Sequence, residues 1–259
     1  MIRSLYYHNP NVEGFEKIIQ YLKSRKYTFL SIWDLRNKIN NKDFAGKNVF
    51  ISFDDGWSGN LCLLPVLEKY NIPITIFVSV KPILQGNFWW EYVVKDRGYI
   101  KTEEFKKLSY YDFYSQLNSI KGKIGVIQRS ALTLEELKEI SQHPLVSIQS
   151  HTINHPILTH LPDKELYKEL LVSKEWLENT IQKEVFAFSY PNGSLSDREV
   201  NAAKNYYEFA FTTEQRNIQA HDDKFLLPRY ALTGDYKRDL LKMYGIWGKI
   251  KSVTSLIKK

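Results

Sequence analysis

The chain has 259 residues, 43% hydrophobic and 14% aromatic, enough to bury a full core, and α/β barrels of this length form single domains. Its formal charge is +7, but most of the excess sits at one end, where Lys237, Arg238, Lys242, Lys249, Lys251, Lys258 and Lys259 face only Asp235 and Asp239. Charge so concentrated, with no groove-reading motif, sets nucleic acid aside as a partner, and the single cysteine excludes an intrachain disulfide framework.

The first residues, Met1 to Pro10, hold no apolar run long enough for a secretory signal, and no 18-residue apolar stretch occurs anywhere; the expectation is a cytoplasmic protein. The first predicted strand, 2–7, ends in Tyr6-Tyr7-His8. A helix over 13–25 follows, with Phe15, Ile18, Ile19 and Leu22 on one face. Strands are predicted at 27–31 and 48–53, and the second runs directly into Asp54-Asp55-Gly56-Trp57. Neighbouring side chains at a strand end point to different sides, so one carboxylate can ligate a metal while the other stays free to take a proton. Alone, Asp-Asp-Gly is also a common turn. Cys62, among Leu61, Leu63 and Leu64, reads as a buried thiol.

After a strand at 73–79, the alternation of strand and helix is interrupted over 81–131, which reads as an insertion on the loop side of the barrel. It opens with Phe88-Trp89-Trp90-Glu91-Tyr92; Trp89 and Trp90, with Trp57, are candidate flat surfaces for a ligand, and core packing is the other reading of the pair. A helix at 133–142 leads to the strand 145–150 and then to His151-Thr152-Ile153-Asn154-His155-Pro156. Two histidines four apart on one turn can meet at a common ion, and with one carboxylate they suit Zn²⁺ or a similar metal; two ordinary surface histidines are the alternative. The helix 163–183 places Leu166, Leu170, Val172, Leu177 and Ile181 on its apolar face. The strand 185–190 ends in Pro191-Asn192-Gly193, a turn able to bring backbone N–H groups to a ligand. Strands at 208–212 and 226–232 complete the alternation, which favours a barrel or a doubly wound parallel sheet. His143, His160 and His221 have no partner at ligand spacing and read as solvated. Leu240, Tyr244, Trp247, Ile250, Val253 and Ile257 then recur at helical spacing, so 236–259 reads as a basic amphipathic helix, either lying on an anionic membrane or packed on the barrel at 1–235.

Three polar turns thus follow three predicted strands on the side where parallel barrels build their active sites. Phe53-Asp54-Asp55-Gly56, His151-Thr152-Ile153-Asn154-His155 and Tyr190-Pro191-Asn192-Gly193 together resemble the motifs of the polysaccharide deacetylases with NodB homology, carbohydrate esterase family four. The resemblance implies a single-domain distorted (β/α) barrel with fewer than eight complete units. It also implies a metal-dependent hydrolase that removes an acetyl or formyl group from an N-acylated sugar, with Asp55, His151 and His155 as metal ligands, Asp54 as general base and Thr152 bracing the histidine turn. One divalent ion is implied, Zn first, with Co, Ni, Mn or Fe as other ions such a site accepts. The metal would polarise the amide carbonyl and acidify a water, and the N–H of Asn192, in the loop Tyr190-Pro191-Asn192, would help hold the oxyanion.

Two positions depart from the family pattern. Ser189 stands where a base-pairing arginine is usual, and the last strand reads Leu226-Leu227-Pro228-Arg229-Tyr230 in place of one bearing the general-acid histidine. In a closed barrel the first and last strands are neighbours, so His8 is the candidate acid and Arg229 the candidate arginine; a polar strand-end histidine and a surface salt bridge are the plain readings of the two. A histidine on the first strand resembles the arrangement in poly-N-acetylglucosamine deacetylases of biofilm systems. The absence of a leader and the basic end point to a nucleotide- or polyprenyl-linked sugar of surface-polysaccharide assembly. A metal-dependent glycosyltransferase, which leaves the histidine pair unexplained, and a non-catalytic carbohydrate-binding relative are the rival readings. Nothing in the sequence specifies an oligomeric state.

Overall fold

A computed structural model describes residues 1–245. Eight strands form one sheet: β1 (Ile2–Tyr7), β2 (Thr28–Leu30), β3 (Asn48–Asp55), β4 (Ile74–Val78), β5 (Val146–Ser150), β6 (Ala187–Ser189), β7 (Phe209–Phe211) and β8 (Tyr230–Ala231). Every pairing is parallel, and the order is β7-β6-β5-β4-β3-β1-β8. β2 pairs with Asn48–Phe50 of β3, and β4 pairs with Ser52–Asp55 of the same strand. The two ends of the order approach each other at a bridge between Phe211 and Leu227, three residues before β8. The sheet is therefore curled into the distorted barrel expected, with β1 seated between β3 and β8.

Helices cover the sheet in chain order: α1 (Val12–Ser24), α2 (Ile32–Asn40), α3 (Leu64–Tyr70), α4 (Val80–Gln85), α5 (Trp89–Arg97), α6 (Ile100–Phe105), α7 (Tyr110–Ile124), α8 (Leu134–Ser141), α9 (Asp163–Ile181), α10 (Asp197–Ala203) and α11 (Tyr236–Met243). α1 starts where the Asn11 side chain accepts the Gly14 N–H at 2.7 Å, and it buries Phe15, Ile18, Ile19 and Leu22 completely. Each such side chain contributes roughly 1.5–3 kcal/mol. Gly14 is obligatory, because a Cβ there would lie 1.6 Å from the Gly234 carbonyl oxygen.

The period of two along β3 positions the site. Val49, Ile51 and Phe53 join the large core under the helices, whereas Phe50 belongs to a second cluster with Ile2, Phe77, Phe211 and Leu227 inside the barrel. Ser52 and Asp54 share the side of Phe50, so Asp54 faces the interior. α5, α6 and α7 supply a third cluster containing Trp89, Tyr92, Phe105, Phe113 and Leu117. This insertion joins the barrel rim where Ser58 N donates to Ser130 O at 2.9 Å and Leu132 N donates to Gly56 O at 3.0 Å.

Two expectations are corrected. Cys62 is exposed, because the short 3-10 helix Ser58–Leu63 turns Leu63 inward and Cys62 out. Val172 is 40% exposed, since the buried stripe of α9 runs through Leu166, Leu170, Ser173, Leu177 and Ile181, and two residues beyond Leu170 is about 200° around the helix. The expected terminal helix begins as α11, which buries Met243, and its later apolar positions Trp247, Ile250, Val253 and Ile257 lie outside the described residues. No helix among the described residues is long and apolar enough to cross a membrane.

Candidate active site

β3 delivers Asp55 at its last position with φ 79°, just before Gly56 at φ 92°, and this left-handed step swings the carboxylate away from the side taken by Asp54. Asp55 Oδ2 accepts the indole N–H of Trp57 at 2.9 Å. Asp55 Oδ1 is buried without a hydrogen-bond donor among the described residues and lies 3.5 Å from His151 Nε2 and 3.4 Å from His155 Nε2.

The protonation of the two rings follows from their surroundings. His151 Nδ1 is 2.7 Å from the Ser189 carbonyl, which can only accept, so that nitrogen carries the proton and Nε2 presents a lone pair toward Asp55. Burial pushes both imidazoles below their ordinary range, more strongly than the neighbouring carboxylates raise them, and His155 falls to about 3. A carboxylate oxygen and neutral imidazole nitrogens therefore converge, their donor atoms within 4.8 Å of one another. Such a donor set repels itself unless a cation stands between its members, and two imidazoles with one carboxylate fit a zinc-class divalent ion.

The histidine turn is held from below and behind. Thr152 (φ 72°) and His155 (φ 52°) both adopt left-handed backbone, and the Thr152 hydroxyl accepts the His155 N–H at 3.0 Å. Ser79 donates its hydroxyl to the His151 carbonyl at 2.8 Å. Glu169 of α9, buried and absent from the sequence reading, accepts the N–H of Ile153 at 2.8 Å and of Asn154 at 2.9 Å, and also takes the Asn154 side-chain amide. Its signal in the sequence is an acidic residue on the apolar stripe of a helix, between Leu166 and Leu170.

Asp54 is ionised. Burial would push its carboxyl up, but the Arg229 guanidinium overcomes this and, with smaller help from His151 and His8, holds it at about 2. Arg229 is wholly buried and bidentate, Nη1 and Nη2 each donating to an Asp54 oxygen at 2.8 Å. It also donates to Ser52 Oγ at 3.1 Å and Ser189 Oγ at 2.6 Å, and its plane lies 4.3 Å from the Tyr6 ring centre. Ser189 in turn donates to Asp54 Oδ2 at 3.3 Å. The guanidinium thus reaches Asp54 from the segment before β8, and the serine, lacking the bulk of an arginine, leaves room for it.

A cleft of about 540 Å³ joins these groups and is lined by Asp54, Asp55, His151, His155, Tyr6, His8, Trp57, Trp90, Tyr190 and Asn192. That volume suits a ligand the size of a small saccharide. His8, at the end of β1, is exposed in the cleft, its carbonyl held by the Asn60 amide at 2.9 Å. Asn192 (φ 57°) sits at the head of the Pro191–Gly193 turn, and Gly193 is required there because a Cβ would meet Thr213 Oγ1 at 2.1 Å. Tyr190 brings a buried hydroxyl without a hydrogen-bond partner among the described residues. Of the three tryptophans, Trp57 and Trp90 are half-buried and line the cleft, with Trp90 edge-on to His155 at 4.7 Å between ring centres. Trp89 is only 5% exposed and packs between Phe105 and Phe113, so it cannot present its face to a sugar; it donates its N–H to the His155 carbonyl at 3.0 Å instead. His143 lies 3.2 Å from Glu68, His160 lies 2.8 Å from the Leu108 carbonyl, and neither lines the cleft.

Comparison with known proteins agrees with this architecture. A Bacillus subtilis protein named as a polysaccharide deacetylase, YxkH, is 28% identical over 195 residues, which cover 74% of this chain and 54% of that protein, so the chain spans about half the length of that relative. The Staphylococcus epidermidis poly-beta-1,6-N-acetyl-D-glucosamine N-deacetylase is 23% identical over 232 residues, 89% of this chain and 70% of the relative. The solved structure of the Streptococcus pyogenes deacetylase PplD in complex with acetate superposes with a TM-score of 0.70 at 22% identity, covering 93% of this chain and 97% of that one, which establishes the shared fold. The family model described as polysaccharide deacetylase matches residues 41–208, a span that runs from the approach to β3, through the Asp54-Asp55 and histidine turns, to the residue before β7. With well over half its length matched, the chain belongs to the polysaccharide deacetylase family.

Proposed function

We propose that this protein is a metal-dependent N-deacetylase acting on an N-acetylated sugar unit of a polysaccharide. The observation that carries the reading is the buried, donorless Asp55 Oδ1 facing two imidazole nitrogens in a sugar-sized cleft, with an ionised Asp54 beside it. Asp55, His151 and His155 would hold the ion, which when bound would polarise the amide carbonyl and acidify water at the site.

The remaining work falls to the chain's own residues. Asp54, kept ionised by Arg229, accepts the proton of the attacking water. Arg229 fixes both Asp54 oxygens, so the carboxylate cannot turn away toward Asp55. The Asn192 N–H, at the left-handed apex of its turn, is the backbone donor for the developing oxyanion. His8, at the open side of the cleft, is the proton donor to the departing sugar amine. Tyr6, Trp57 and Trp90, which line the cleft, hold the sugar ring and keep bulk water from its acyl group.

The basic C-terminal stretch remains the support for a nucleotide- or polyprenyl-linked sugar, but most of it lies outside the described residues. The relatives named for a poly-N-acetylglucosamine favour a sugar within a chain. A glycosyltransferase, which would use oxygen ligands for Mn²⁺ or Mg²⁺, is disfavoured by the two converging imidazoles. Asp54→Asn separates catalysis from binding: amine release from N-acetylglucosamine oligosaccharides should vanish while the metal content stays at the wild-type level. Unchanged turnover would remove Asp54 from the base role and, with it, this mechanism.

A further inference from the structure

The cleft does not end at its aromatic wall. A second cavity of about 500 Å³ opens on the other side of Trp57 and Trp90, which line both spaces. Trp57 and Trp90 stand 6.4 Å apart between ring centres, and Trp90 is braced by stacking on Phe88 at 4.8 Å. Both rings are half-buried, so each has surface left for a ligand.

The charge lining the two spaces differs. In the cleft, Lys106 is paired with Glu103 at 2.8 Å. In the second cavity Lys95 and Arg129 are both exposed, and neither has an ion-pair partner among the described residues. Arg129 is anchored through Nη1 alone, which donates to the carbonyls of Ile83 at 3.2 Å and Leu132 at 3.1 Å, leaving Nε and Nη2 available. Glu91 is the one carboxylate of that lining among the described residues, and its Oε2 accepts the Phe88 N–H at 2.8 Å and the Ser130 hydroxyl at 2.6 Å. The whole insertion over 81–131 carries nine Lys and Arg against five Asp and Glu, an excess of four positive charges on the element that forms this cavity.

We propose that the second cavity is a subsite for an anionic group carried by the sugar unit next to the one being deacylated, so that the substrate is an acidic glycan lying across the Trp57–Trp90 wall. The inference rests on the deacetylase reading only for the identity of the first cleft's ligand. Lys95 from α5 and Arg129 from the segment after α7 both line the cavity and supply charge-assisted hydrogen bonds to a phosphate or a carboxylate, and the indoles shared by the two spaces suit the sugar rings that link the two groups.

The test is equilibrium binding by calorimetry to the full chain. The probes are an N-acetylglucosamine trisaccharide, the same trisaccharide bearing a phosphate monoester on one unit, and a third with a uronate as that unit. The wild type should bind at least one anionic probe about tenfold more tightly than the neutral one, and Lys95→Glu should remove most of that preference. Raising the salt concentration should erode the preference in the wild type. A tighter phosphate probe identifies a phosphorylated glycan, and a tighter uronate probe a uronic acid polymer. Equal affinities for all three probes, or a preference that survives Lys95→Glu, would overturn the proposal. Because Lys95 is exposed and makes no contact that holds the fold, a folding failure of that variant is not expected, and Lys95→Ala provides the milder check, with a loss of about threefold. Amine release is read separately: anionic preference without amine release would retain this subsite and refute the deacetylase, whereas amine release without preference would do the reverse.

Discussion

Asp54 and Arg229 form a pair whose members depend on each other for burial. Removing the guanidinium leaves a carboxylate inside the barrel with the Ser189 hydroxyl as its remaining donor among the described residues, so Arg229→Met should destabilise the protein by about 3–5 kcal/mol in denaturant unfolding. Arg229→Lys should recover only part of this, because an ammonium cannot contact both oxygens in parallel. A pH dependence follows from the same pair. The Asp54 carboxyl is held at about 2, below its ordinary value of 3.8, so its contribution is present above that ordinary value and is lost as the pH falls through about 2. In metal-free protein this amounts to on the order of 2 kcal/mol, and Asp54→Asn should abolish that part of the acid sensitivity. At this scale the sequence disclosed the polar turns at the strand ends, and the fold brings Asp54, Asp55, His151 and His155 of those turns to one cleft. It was silent on Glu169, whose partners are backbone N–H groups that no motif records. Trp89 shows a further limit, since a pair of adjacent tryptophans does not disclose which ring the helix turns inward.

The elements explain how residues far apart in sequence reach one rim. Strand ends were legible because parallel strands buried on both faces leave long apolar runs, and β1, β3 and β5 all fall within two residues of the predicted bounds. Short helices such as α2, α3 and α10 have only two or three turns to display a period, and the periodicity did not single them out. The neighbourhood of β1 and β8, which brings Arg229 toward Asp54 and His8 into the cleft, could be read only through barrel closure. α9 holds the histidine turn through the Glu169 carboxylate, so Glu169→Gln should weaken metal binding by about 10- to 100-fold by loosening the turn between His151 and His155. The check is metal affinity by competition with a chelator; an unchanged affinity with the same helix content would show that the turn holds itself.

At the scale of the whole molecule, the chain is a barrel with an aromatic insertion on its rim and a terminal segment that begins by packing on α1. Asp239 is fully buried and accepts the Thr233 and Gly234 N–H groups at 2.8 Å each, while Met243 is wholly buried. Truncation after Asp235 should therefore lower stability by about 2–5 kcal/mol in denaturant unfolding. A truncation after Gly245 tests the expected contact of the C-terminal stretch with an anionic membrane. If residues 246–259 hold the protein to an anionic surface, their removal reduces sedimentation with anionic liposomes, and full retention of sedimentation would assign them no such part.

The central claim is that Asp55, His151 and His155 are built around a divalent cation, and direct metal analysis of the purified full chain tests it. About one zinc-class ion per chain is expected, lost in His151→Ala and retained in Asp54→Asn, with both variants folded by circular dichroism. A folded wild type that binds no divalent ion after incubation with zinc, cobalt, nickel or manganese would contradict it.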